Sequence, residues 1–183
     1  MPSRYSRNSV ALDRTFIVVS DESAGLSSEQ AVPVARALHR EETWAQLLQR
    51  PYIVVLGEAG TGKSTEFDRQ AAQLSSEGQW AFFVEITSLA TNGLINSIDP
   101  EDAERIKAWR GTDARAVFFL DSLDEAKLRR HTLRDGLRQL RNAIHAEWTR
   151  AALVVSCRVS DWMAGADRDE IAAVIPDGSP ATV

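Results

Sequence analysis

Gly57-Glu58-Ala59-Gly60-Thr61-Gly62-Lys63-Ser64-Thr65 follows directly on the apolar run Tyr52-Ile53-Val54-Val55-Leu56, and no other stretch constrains the fold as strongly. Its spacing is G-x-x-x-x-G-K-[ST]. Gly57, Gly60 and Gly62 let backbone N–H groups approach an anion that side chains would otherwise keep away. Lys63 adds a point charge, and the Ser64 hydroxyl is suited to a magnesium ion. Behind the loop, Phe67, Ala71 and Leu74 recur at helical spacing, and Gly78 is placed to end the helix. Strand, glycine loop and helix thus come in the order the pattern requires, with the positive end of the helix facing the same anion. The expectation is a cradle, from Gly57 to Thr65, for a magnesium-bearing nucleoside triphosphate.

Working outward, Trp80-Ala81-Phe82-Phe83-Val84-Glu85-Ile86 reads as a second strand. Asp99-Pro100-Glu101-Asp102 has the form of a helix start, and Gly111 closes that segment. Ala116 to Leu120 is a fully apolar third strand that delivers Asp121 at its end. Leu133, Leu137, Leu140, Ile144 and Trp148 predict a long amphipathic helix, followed by a fourth strand from Ala152 to Ser156. Upstream, Phe16 to Val19 is a β-prone run, and Val34 to Leu48 reads as a helix that Pro51 separates from the strand before the glycine loop. We expect an N-terminal arm with an accessory strand over residues 1–33 and the core over residues 34–183. The fold class is α/β with a parallel sheet, right-handed crossovers and ligands bound beyond the carboxyl ends of the strands.

The phosphate loop, Asp121 and Arg158 fall at those ends. Asp121 matches the Walker B aspartate, which holds the metal opposite Ser64. Asp124, three residues on, is a candidate base or water-orienting group, with Glu125 as its competitor; a solvated acidic turn capping the next helix is the bland reading of both. Arg158 is placed either to sense a γ-phosphate or to pair with Asp161. Lys63, Asp121, Asp124 and Arg158 form the catalytic set, and Ser64 with Asp121 the metal pair. Cys157 reads as a packing residue.

At this point the chain resembles the NACHT group of STAND signalling ATPases. The resemblance rests on Gly57 to Thr65, on Phe119-Leu120-Asp121-Ser122-Leu123-Asp124-Glu125 and on Val154-Val155-Ser156-Cys157-Arg158, and it covers about Thr43 to Ser160. Glycine is commoner in that family where Ser122 sits. The resemblance implies a P-loop NTPase three-layer sandwich that binds ATP with Mg2+ and hydrolyses it slowly. It also implies an opening and self-oligomerising switch whose bacterial members often serve antiviral defence. Such proteins continue into a fifth core strand, a helical lid and further domains, so the fifth strand and lid are expected to be missing and the chain to be a fragment or a truncated product. The alternative is an interaction module that holds ATP or ADP without hydrolysis.

Bulk properties fit this picture. With 183 residues, 44% of them hydrophobic, the chain fits one compact domain. A net charge of −5 argues against a nucleic-acid coat. One cysteine excludes an internal disulfide and suits a reducing cytoplasm, and no apolar run is long enough to span a bilayer. His39, His131 and His145 lack metal-ligand spacing. Arg130, Arg134, Arg138 and Arg141 read as a solvated helix face. No Asn-Lys-x-Asp run marks a guanine reader, no second glycine-rich signature marks a transporter ATPase, and no basic lid marks a small-substrate kinase. The expected partners are a nucleotide and either other proteins or further copies of the same core.

Overall fold

The computed structural model describes residues 15–17, 41–122, 133–163, 166–167, 169–170, 173–174 and 181–182. In chain order the elements are β1 (Thr15–Ile17), β2 (Glu41–Thr43), α1 (Trp44–Leu47), β3 (Tyr52–Leu56), α2 (Lys63–Ser76), β4 (Trp80–Glu85), α3 (Ile86–Asn92), α4 (Pro100–Arg110), β5 (Ala116–Asp121), α5 (Leu133–Ala143), β6 (Ala151–Cys157) and β7 (Ala181–Thr182). Short 3-10 turns cover His145–Arg150 and Val159–Asp161.

β4, β5, β6, β3 and β7 form one parallel sheet in that spatial order, while β1 and β2 pair as a separate antiparallel ribbon. Leu56 lies opposite Cys157 and Leu120 opposite Val155, so β3, β5 and β6 end along one edge. Side chains of a strand alternate between its two faces, and both faces are apolar here. Tyr52, Val54, Phe118, Leu120 and Val155 pack with α3, α4 and α5 through Leu89, Ile106, Trp109, Leu137 and Leu140. Ile53, Val55, Phe119 and Val154 pack with Phe67, Ala71 and Leu74 of α2 and with Trp44 and Leu47 of α1. The result is a three-layer α/β sandwich with the P-loop NTPase strand order. β5 lies between β4 and β6 and is buried at all six positions.

Local chemistry sets the helix ends. The Asp99 carboxylate accepts the Asp102 N–H at 2.9 Å, Pro100 occupies the first turn, and Lys107 and Arg110 sit in the last, opposite the negative end of the helix dipole. After α2, Gly78 takes φ 79°, a left-handed angle that suits glycine.

Four elements depart from the expectations. Of the helix expected over Val34 to Leu48, Glu41–Thr43 is strand and only Trp44–Leu47 is helical; residues 34–40 lie outside the described ones. Thr43 is extended (φ −87°, ψ 166°), and its N–H donates to Gln46 Oε1 at 2.8 Å, so the helix starts there. Ile86, read as the end of a strand, begins α3, which Gly93 closes at φ 75°. The long helix toward Trp148 stops at Ala143 and tightens, with the Glu147 N–H donating to the Ile144 carbonyl at 2.9 Å. Finally, the fifth core position, expected to be missing, holds the two-residue strand β7, where Ala181 and Thr182 pair with Ile53 and Val54. Two residues carry no periodicity that a sequence pattern can register. Among the described residues, no helix is long and apolar enough to cross a membrane.

Candidate functional site

The glycine loop joins β3 to α2 at the carboxyl edge of the sheet. The Gly57 N–H donates to the Cys157 carbonyl at 3.2 Å, which ties the start of the loop to the end of β6. Glu58, Ala59, Gly60 and Thr61 are exposed, and Thr61 closes the turn by donating from Oγ1 to the Glu58 carbonyl at 2.9 Å. Gly60 and Gly62 take φ 76° and 79°, angles that L side chains rarely adopt. A Cβ on Gly57 would stand 3.2 Å from Thr61 Oγ1 and 3.4 Å from Lys63 Cδ, so the loop is packed against itself. Gly62 is the N-cap of α2, and no side chain caps that end. Lys63 Nζ donates to the Gly57 carbonyl at 2.6 Å and to the Glu58 carbonyl at 2.9 Å, holding the ammonium over the loop. Ser64 and Thr65 are half-buried in the first turn of α2.

Asp121 ends β5 at 3% exposure. Its Oδ1 accepts the Ser156 hydroxyl at 2.5 Å, and its Oδ2 accepts the Ser122 hydroxyl at 3.0 Å. The Ser122 N–H donates in turn to Ser156 Oγ at 2.9 Å. Ser122 takes φ 66°, the one non-glycine residue with positive φ among the described residues. The chain therefore turns in the left-handed region directly after the aspartate, which is the conformation a glycine adopts without strain.

Ser156 was not among the sequence candidates, although a signal for it exists. It is the single polar side chain in the otherwise apolar strand Ala151–Cys157, and it stands at the functional end. Arg158 follows that strand, half-buried, and its carbonyl accepts the Asp161 N–H at 3.2 Å. Asp124 and Glu125 lie outside the described residues. Cys157 is buried in the core, as a packing residue would be.

Behind the loop, Glu66 forms a second polar cluster that the sequence did not reveal. The Trp44 indole donates to Glu66 Oε1 at 2.8 Å, and Arg69 Nη2 donates to the same oxygen at 2.8 Å. Burial pushes the Glu66 carboxyl up, but hydrogen bonds from Arg69, Trp44 and Gln70 and the Arg69 charge outweigh it and hold the group below its usual range.

The residues at this edge fit a magnesium-bearing phosphate group. A carboxylate and a hydroxyl are hard oxygen donors of the kind Mg2+ takes, and each Asp121 oxygen accepts a single described side-chain hydrogen bond, leaving a further lone pair. Gly57, Gly60 and Gly62 keep side chains away from the face of the loop.

No family model matches the sequence, and comparison with curated proteins found no match. Among solved structures, the chain is similar to AMPPCP-bound DnaA from Aquifex aeolicus, at 12% identity and a TM-score of 0.46, over 86% of this chain and 48% of that one. It is also similar to a structure described as a DNA replication initiation factor, at 11% identity and a TM-score of 0.43, over 87% and 47% of the two chains. The chain spans about half the length of both. The class defined by the strand order and the glycine loop is the P-loop NTPase fold.

Proposed function

We propose that the chain is the Mg2+-dependent ATP-binding core of a NACHT/STAND-type signalling switch, with slow ATP hydrolysis. The observation that carries this reading is the common edge shared by the glycine loop, anchored through Gly57 to Cys157, and Asp121, anchored through Ser156. The left-handed Ser122 supports the NACHT resemblance, because that is the position where the family favours glycine.

In this reading the N–H groups of the loop and of the first turn of α2 bind phosphate oxygens, and the helix dipole adds to the attraction. Lys63 exchanges its two carbonyl acceptors for the outer phosphates. Ser64 and Asp121 are the residues that would hold Mg2+. The ion supplies charge neutralisation at the phosphate oxygens. Arg158, at the end of β6, stabilises charge that develops on the transferred phosphoryl group. Asp124 or Glu125 orients the attacking water and accepts its proton. A signalling role, with self-association or a protein partner and a place in antiviral defence, follows from the family resemblance alone.

The test is thermal denaturation with and without Mg·ATP, together with a phosphate-release assay. Mg·ATP at about 100 times its Kd should stabilise the protein by roughly 2.7 kcal/mol, and Lys63→Ala should remove both the shift and the phosphate release. A shift without phosphate release selects a nucleotide-responsive interaction module. A wild-type protein that Mg·ATP does not stabilise overturns the nucleotide reading.

A further inference from the structure

The geometry points to Ser156 as the positioning residue of the metal site: its hydroxyl aims the Asp121 carboxylate and holds the turn at Ser122. This inference rests on the nucleotide reading above and deepens it.

A backbone N–H only donates, so the Ser122 N–H at 2.9 Å must use a lone pair of Ser156 Oγ. The one hydroxyl proton of Ser156 is then left for Asp121 Oδ1, at 2.5 Å. The hydrogen bonds therefore run in one direction, from the Ser122 amide through Ser156 to the carboxylate. Ser156 is 1% exposed and Asp121 3%, so water does not compete for either contact. The arrangement also depends on the backbone. Ser122 turns its N–H back toward β6 at φ 66°, and the Ser156 acceptor helps to hold that unfavourable angle. With Oδ1 fixed by Ser156 and Oδ2 by Ser122 Oγ, the carboxylate cannot rotate freely, and its remaining lone pairs keep one direction. Groups that orient a metal ligand in this way typically change metal affinity about 10–100-fold when removed.

The experiment follows the ATP-induced rise in melting temperature of the full chain as Mg2+ is titrated, with an EDTA control that reports metal-free nucleotide binding. Ser156→Ala should raise the Mg2+ midpoint about 10–100-fold and leave the EDTA value unchanged. Ser156→Thr keeps the hydroxyl and should restore the wild-type midpoint, whereas Ser156→Cys, a weak donor of similar shape, should raise the midpoint as well and supplies the measurement if the alanine variant fails to fold. An unchanged midpoint in the folded Ala or Cys variant overturns the positioning role. So does an equal loss with and without Mg2+, or a folded Thr variant that rescues nothing. Failure of the underlying reading looks different: the wild-type protein itself then shows no ATP-induced shift at any Mg2+ concentration.

Discussion

The indole N–H of Trp44 donates to Glu66 Oε1 at 2.8 Å in a buried contact between α1 and α2. Trp44 also meets Phe16, Phe67 and Phe119 at ring-centroid distances of 4.6, 6.0 and 5.8 Å. One residue thereby joins the β1–β2 ribbon, the helix after the glycine loop and the internal strand β5. Trp44→Phe keeps an aromatic ring but deletes the donor and part of the volume. It should lower stability by about 2 kcal/mol in urea denaturation; a change below ~0.5 kcal/mol would show that the contact does not hold these elements together.

Glu66 makes that stability depend on pH. Because its folded carboxyl is held below the usual value of 4.5, its contribution is present above that value and is lost as pH falls through the folded value. Glu66→Gln should therefore be less stable than wild type at pH 7, and the gap should narrow below pH ~4.5. Denaturation midpoints of the two proteins at several pH values measure this. A gap that widens on acidification contradicts the arrangement.

The turn after Asp121 makes opposite demands on size and branching. Ser122→Gly relieves the left-handed angle but loses the hydroxyl bond to Asp121, two effects of about 1 kcal/mol that nearly cancel. Ser122→Val loses the bond and sets a β-branched side chain at φ 66°. The glycine variant should be the more stable of the two by about 1–2 kcal/mol, as read by thermal melting. Equal stability would mean that the angle is not retained in solution.

Close helix packing supplies a further test. A Cβ on Gly136 of α5 would stand 3.0 Å from Ile86 Cγ2 of α3, tighter than ordinary contact. Gly136→Ala should cost about 1–3 kcal/mol through overpacking, despite the better helix propensity of alanine. In an Ile86→Ala background the same change should cost less, and a double-mutant cycle measures the difference. Additive costs would place the two helices farther apart.

The apolar runs and the glycine loop made the sheet legible, because a strand buried on both faces and a phosphate loop each leave a local signature. Asp99-Pro100 and Gly111 likewise marked the ends of α4 through capping chemistry that acts within a few residues. What escaped was set by distance. β2 forms because Phe16 pairs opposite Glu42, a contact that helical periodicity in Val34 to Leu48 cannot register. Glu66 looks like an ordinary helix-surface acid until Trp44 is brought against it, and Ser156 acquires its role only when β6 lies beside β5. Ser122 falls between: its departure from the glycine that the NACHT resemblance leads one to expect was visible, and the positive φ supplies the reason it matters.

Asp121 is carried by a strand with no exposed position and a neighbour on each side, whereas Glu58 to Thr61 of the phosphate loop lie open to solvent. Backbone amides in such an internal strand exchange with deuterium only through large-scale opening, while those of an exposed loop exchange through small local excursions. The site thus pairs a stiff anvil with a compliant jaw. Local rearrangement falls to the exposed stretch from Glu58 to Thr61, and the carboxylate keeps its place.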